Sequence, residues 1–137
     1  MKDHAAILLK HGGKVLFVQR AATKKFLPNI WAFPSGTMEE EERAEETAVR
    51  EAKEELGIAV TAEPAFATAE LPELGARLHL VVCTSASNDA LTANLAEIQN
   101  IRWMTLKEFF QEYTDDEIGH GLVYLRSHPE IWEKIAG

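Results

Sequence analysis

Glu51, Glu54 and Glu55 lie within five residues of one another, with Arg50 directly before them and Gly57 close behind. At about 100° per residue on a helix, the three carboxylates fall within an arc of roughly 100°. Like charges this close repel unless a cation sits among them. Oxygen-rich clusters of this type suit hard divalent cations such as Mg2+ or Mn2+, which keep some waters and accept phosphate oxygens as further ligands. Glu42 does not share that arc, because an ideal helix places it opposite Glu51. It must reach the others from the helix start or the preceding loop, or serve another purpose. Arg50 precedes Glu54 by four residues, a spacing that allows pairing along a helix.

A helix must carry these groups, and the sequence supplies one. From Arg43 to Leu56 there is no Gly or Pro, and Ala, Glu, Arg and Lys dominate. Gly57 closes it at the expected C-terminal position. Ala44, Ala48, Ala52 and Leu56 form the adjoining arc, whose small residues let the helix lie close to a sheet. The carboxylates then border a buried seam. The alternative is a plain acidic helix with a solvated face, which would hold no metal.

Other elements follow from alternation and turn residues. Strands are expected at Ala5 to Lys10 and Lys14 to Arg20, joined by the turn His11-Gly12-Gly13. A loop over 21–30 with Pro28 and Asn29 leads to a short strand, Trp31 to Phe33, stopped by Pro34. Beyond the helix, Ile58 to Glu70 reads as extended and interrupted at Pro64, 71–75 as a loop, Ala76 to Ser85 as a strand, 87–96 as a mobile polar loop, and Ile98 to Trp103 as a strand. Thr105 with Glu108 makes a capping box at a helix start. The tail from Asp115 to Ala136 reads as helix, broken at Ser127-His128-Pro129. The mixture is α/β or α+β, expected as a single domain over residues 1–137.

Composition narrows the partners. Of the net charge of −8, residues 36 to 58 hold −6, with nine Glu against Arg43, Arg50 and Lys53. Such a patch repels polyphosphate unless metal inverts the local field. No basic stripe or aromatic platform points to a nucleic-acid polymer. Cys83, the lone cysteine, sits in an apolar run and reads as a buried, inert thiol. The apolar run after Met1-Lys2-Asp3-His4 is too short for a signal core or membrane span, so a cytoplasmic protein without membrane association is the expectation.

Residues 36 to 58 resemble the Nudix box, G-x5-E-x7-R-E-U-x-E-E-x-G-U with U apolar. The fixed letters are Gly36, Glu42, Arg50, Glu51, Glu54, Glu55 and Gly57, and Ala52 and Ile58 fill the apolar slots. Trp31-Ala32-Phe33-Pro34-Ser35-Gly36 resembles the family's W-x-F-P-G-G lead-in, and Glu97 to Trp103 its downstream E-x5-W strand. The resemblance implies the Nudix fold, a mixed β-sheet between α-helices, and metal-dependent cleavage of a pyrophosphate bond. It implies Mg2+ or Mn2+ held by Glu51, Glu54, Glu55, Glu97 and the backbone carbonyl at Ser35. Arg50, Glu51, Glu54 and Glu97 form the candidate catalytic set, with Glu51 or Glu97 as the base. The family's arginine here is thought to hold a glutamate in place. Gly36, Glu42 and Gly57 are the structural letters of the box.

Two departures stand out. Ser35 replaces a glycine, which matters only if the backbone angles there exclude serine. Glu41 replaces a glycine common just before the first box glutamate. Arg20 and Lys24 are candidate phosphate contacts or solvated surface. Trp31 is a candidate base-stacking residue or core, and Phe26 is similar. His79 reads as a satisfied core histidine. For substrate, the short chain leans toward a nucleoside triphosphate or a small nucleoside diphosphate derivative. Pro72 falls one position short of a proline typical of ADP-ribose-cleaving relatives, and the coenzyme A signature is absent. A non-catalytic Nudix-fold module that binds a nucleotide or protein is the competing class, and a homodimer is left open.

Overall fold

The computed structural model describes residues 1–85, 91–94 and 96–136. Its centre is strand β1 (Lys2–His11), which runs parallel to β7 (Ala76–Ser85) on one side. On the other side its C-terminal end turns through Gly12 and Gly13 into β2 (Lys14–Arg20), while its N-terminal half pairs with β4 (Ser35–Thr37). β2 diverges from β1 and is flanked by β3 (Trp31–Ala32) and β8 (Ile98–Met104). β5 (Val60–Ala62) and β6 (Ala67–Leu71) pair antiparallel with opposite ends of β7, separated by the segment containing Pro64.

Alternation in β1 and β2 explains why the sheet has helices on both faces. Ala5, Ile7, Leu9, Leu16 and Val18 point to a core shared with α1 (Ala44–Leu56). Ala6, Leu8, Val15 and Phe17 point to a second core with α2 (Leu106–Glu112), α3 (His120–Arg126) and α4 (Pro129–Ala136). Strands buried on both faces must be apolar at consecutive positions, as these are. The architecture is the mixed α+β sandwich expected. The small-residue arc of α1 is fully inside: Ala48, Ala52 and Leu56 have no exposed surface. Enlarging either alanine would overpack the seam at a cost of about 1–3 kcal/mol.

Boundaries shift where pairing partners decide them. β1 starts three residues earlier than its apolar run, because β7 and β4 supply hydrogen-bond partners for Lys2 to His4. β4 is a strand the sequence did not announce, since three residues of Ser, Gly and Thr carry no apolar pattern. Thr105 caps α2 by accepting from the Glu108 amide at 3.1 Å, as the capping box predicts. The tail breaks at 127–129 as expected, with Pro129 opening α4, but its α-helix begins only at His120, and Asp115–Glu117 forms a short 3-10 turn instead of the expected helix start. His79 bonds Asp3 at 2.9 Å. Cys83 is buried, and burial pushes its thiol up to about 12. The loop expected over 87–96 falls partly outside the described residues. Within its described part, Thr92 and Asn94 donate to the carbonyls of Leu56 and Glu55 at 2.8 and 2.9 Å. Among the described residues no helix is long and apolar enough to cross a membrane.

Candidate active site

Glu42 sits two residues before α1, and there its separation from the carboxylate arc finds its purpose. Arg50 turns back along the helix and donates from Nε to Glu42 Oε2 at 2.9 Å and from Nη2 to Oε1 at 3.0 Å. Thr47, wholly buried, donates its hydroxyl to the same carboxylate at 2.5 Å, and the Glu39 amide adds a bond at 3.0 Å. The Arg50 contact above all, then these two, holds the Glu42 carboxyl down to about 2. Glu42 is therefore a permanent anion that fixes Arg50 by a two-point fork. Glu41, beside it, takes a φ of 68°, the left-handed region where a side chain is unfavourable. A glycine is the natural occupant of that turn, in line with the family pattern.

Once fixed, Arg50 reaches three further groups. Nη2 donates to the Thr37 carbonyl at 3.0 Å, and Nη1 to Glu51 at 2.9 Å and Glu54 at 3.4 Å. The guanidinium ties the loop before α1, strand β4 and two box carboxylates into one network. The i,i+4 pair with Glu54 exists, but it is the longest of these bonds.

Glu51 passes directly over Gly36. A Cβ placed at Gly36 would stand 2.1 Å from Glu51 Cδ and 2.2 Å from Cγ, far inside contact distance. The glycine at the start of the box is thus the floor on which Glu51 rests. Burial holds the Glu51 carboxyl above its ordinary range, opposed by Arg50. Gly36→Ala is expected to fold, because the flexible end of Glu51 can swing aside. It should lose about tenfold or more in turnover, since a displaced group loses its alignment. Steady-state kinetics beside a thermal melt check this; unchanged turnover would mean that the placement of Glu51 is immaterial.

Glu55 is the most perturbed of the set. Burial first, then the charges of Glu51, Glu97 and Glu54, push its carboxyl up to about 8, with Arg20 opposing. Glu97 arrives on the segment leading into β8. That segment is tied to the end of α1, because Asn94, whose amide bonds the Glu55 carbonyl, accepts at its own carbonyl from Glu97 and Ile98 at 2.9 Å each. Glu55, Glu97 and Ser35 line one small cavity of about 50 Å3 with Arg20 and Phe33. Ser35 is not among the described residues of positive φ, so serine is accommodated there without strain.

The four carboxylates do not enclose an ion as they stand. Among the described residues no three acidic, His or Cys side chains converge closely enough. Glu51 and Glu54 turn toward Arg50, and Glu97 toward Lys24 at 2.5 Å. No ion pair among the described residues reaches Glu55. A half-buried carboxyl, raised by desolvation and by three acidic neighbours, with Glu51, Glu54 and Glu97 around it, belongs to a donor set that a divalent cation fits.

A second cavity of about 360 Å3 adjoins the first and shares Arg20, Ala32, Phe33 and Ser35 with it. Its walls are mostly apolar, with His4, Thr37 and His120 as polar groups. Thr37 Oγ1 lies 3.2 Å from His4 Nδ1, and burial depresses the His4 pKa, which favours the neutral ring. The sequence could not show that His4 and His120 share a cavity, since 116 residues separate them. The tripeptide Gly119-His120-Gly121 was the available signal: a Cβ on Gly121 would meet Leu78 Cδ2 at 2.4 Å.

Of the candidate substrate contacts, Arg20 lies where the cavities meet. Phe26, 58% exposed, is at the wall of the larger one. Trp31 is not brought to the site. It is 8% exposed and packs in the second core against Tyr113, ring centroids 5.6 Å apart. The strand places its indole on the α2 side, so a base cannot stack on it.

Comparison with known proteins gives the chain a family. A family model for the NUDIX domain matches residues 2–125. The uncharacterized Nudix hydrolase YfcD of Escherichia coli K12 is 27% identical over 124 residues, covering 86% of this chain and 69% of its own. A CTP pyrophosphohydrolase of the same organism is 32% identical over 80 residues, 58% of each protein. The crystal structure of a MutT protein from Methanosarcina mazei Go1 has the same fold, with a TM-score of 0.74 at 17% identity over 98% of this chain and 94% of its own. With the complete motif from Gly36 to Ile58 and a family match along nearly the whole sequence, the chain belongs to the Nudix hydrolase family.

Proposed function

We propose that the protein hydrolyses a pyrophosphate bond in a nucleoside diphosphate linked to a further group, with Mg2+ or Mn2+ as cofactor. The substrate is a nucleoside triphosphate or a small nucleoside diphosphate derivative. The observation that carries this reading is the adjacency of the two cavities. A mostly apolar chamber large enough for a nucleoside opens, through Arg20 and Ser35, onto a cluster of carboxylates that repel one another.

Glu51, Glu54, Glu55, Glu97 and the Ser35 carbonyl are the groups that would hold the cation. When bound, it neutralises phosphate charge and lowers the pKa of water. The chain's own residues do the remaining work. Arg50, locked by Glu42, sets the directions of Glu51 and Glu54. Glu51, held above the usual carboxylate range by burial, is better placed than Glu97 to take the water's proton. Arg20 stands where the diphosphate would cross from one cavity to the other.

The test is a nucleotide panel run with Mg2+ and with Mn2+ in 18O-labelled water. CTP comes first, because the relative that matches over 80 residues is a CTP pyrophosphohydrolase. UTP, ATP, GTP, UDP-sugars, ADP-ribose and the nucleoside monophosphates follow. The expected result is label on a phosphate product, no turnover of monophosphates, and a rate that rises with pH through neutrality as the base loses its proton. Activity confined to monophosphates, or none on any diphosphate-containing nucleotide, would overturn the reading.

A further inference from the structure

Loop 21–30 carries a lysine into the carboxylate cluster, and nothing in the box motif requires it. Lys24 Nζ lies 2.5 Å from Glu97 Oε2, with 26% of the lysine side chain and 43% of the glutamate exposed. The loop that presents it is pinned at several points. Its neck is closed by Arg20 N donating to Ile30 O at 2.9 Å and Asn29 N to Arg20 O at 3.1 Å. Its far turn, where Leu27 and Asn29 take positive φ, is held by the Arg20 guanidinium, which donates to the carbonyls of Phe26 and Leu27 at 2.9 and 3.2 Å. Its flank is fastened to the Glu97 segment: Ala21 N donates to Glu97 O at 2.9 Å, and Gln99 Nε2 to Asn29 Oδ1 at 2.7 Å. From this pinned loop the Lys24 ammonium reaches Glu97 on a flexible four-carbon stem.

We propose that Lys24 is a resident counter-ion that the enzyme hands from Glu97 to the substrate's phosphates. This rests on the reading of Glu55 and Glu97 as cation-holding groups. In the protein alone, the ammonium offsets the Glu97 charge beside the half-buried Glu55 carboxyl. A divalent cation taken up by Glu97 displaces it. The displaced ammonium keeps its full charge and sits one side chain from the cavity where Arg20 meets the diphosphate. Lys24 thus competes with metal while the site is empty of nucleotide, and attracts the diphosphate once metal is present. Metal and diphosphate then strengthen each other's binding, because the group that opposes the first supports the second.

The two halves make predictions of opposite sign, which a merely structural lysine would not produce. Mn2+ is titrated calorimetrically into the nucleotide-free protein. Imidodiphosphate, a non-hydrolysable diphosphate without a nucleoside, is then titrated at saturating Mn2+. Lys24→Ala is expected to bind Mn2+ about fivefold more tightly and imidodiphosphate about fivefold more weakly. Lys24→Arg should restore both values. Lys107→Ala, the same charge change on the exposed face of α2, should alter neither. In a Glu97→Gln background, Lys24→Ala should no longer strengthen Mn2+ binding. Unchanged or weaker Mn2+ binding by Lys24→Ala overturns the proposal, as does unchanged binding of imidodiphosphate or an equal effect from Lys107→Ala. Absence of Mn2+ binding to the wild type would remove the metal reading itself. Wild-type binding with no response to Lys24→Ala removes only the counter-ion.

Discussion

Glu55→Gln should make the metal-free protein more stable at alkaline pH while lowering turnover about a hundredfold or more. The sign follows from where the carboxyl titrates. In the unfolded chain it ionises near the ordinary value of 4.5, and in the folded, metal-free protein near 8. Between those values folding takes up a proton, so the wild type loses stability as pH rises across that window. Above about 8 the half-buried charge is present and the cost of holding it there is felt. Glutamine fills the same space with no charge to bury. A shift of more than one pKa unit is worth more than about 1 kcal/mol, so the variant should melt several degrees higher at pH 9. Saturating Mg2+ should reverse the order. The wild type gains stability by binding, with an affinity that rises toward pH 8 as the proton competes less, and the variant gains little. Melts at pH 6, 7.5 and 9, with and without Mg2+, decide the matter. Parallel pH profiles for the two proteins would mean that Glu55 is not the strained group, and retained turnover would remove it from the site.

Local signals were legible wherever a short-range pattern carries them. The Arg43 to Leu56 helix, its glycine stop and its alanine seam came from composition and a period of 3.6, and α1 occupies Ala44–Leu56 with Gly57 at a φ of 64°. The strand at Ala76–Ser85 and the capping box at Thr105 were equally local. Glu42 shows where a periodic reading stops. Helical angles correctly removed it from the carboxylate arc, but not that Arg50 would turn back to grip it with two bonds. That contact depends on the path of residues 37–42 and on Thr47 beneath. The Lys24–Glu97 pair joins residues 73 positions apart. The larger cavity gathers side chains from β1, β4, the 21–30 loop, β7 and α3. Trp31 carried an open choice between core and site, because a two-residue strand does not reveal which face it buries.

Glu54→Gln should lower turnover on the order of a hundredfold or more and leave the melting temperature of the metal-free protein nearly unchanged. Glu54 differs from Glu55 in being 59% exposed in its side chain, with Arg50 at 3.4 Å as its ion-pair partner. Glutamine keeps its size and helix propensity, and the locked Arg50 retains its bonds to Glu42, Glu51 and the Thr37 carbonyl. Stability therefore has little reason to move. Turnover has every reason to, because the cation must be drawn into a cluster from which one charge has gone, and electrostatic stabilisation dominates phosphoryl transfer. Glu45→Gln is the matched control. It removes the same charge from the same helix nine residues earlier, half a turn around from Glu54, on a surface shared with Val49 and Val60. Its turnover should stay within about twofold of wild type. Metal titrations should show the same contrast, with weaker binding for the first variant and unaltered binding for the second. Equal losses from the two changes would mean that the acidity of α1 as a whole, rather than the placement of Glu54 beside Glu51 and Glu55, draws the metal in.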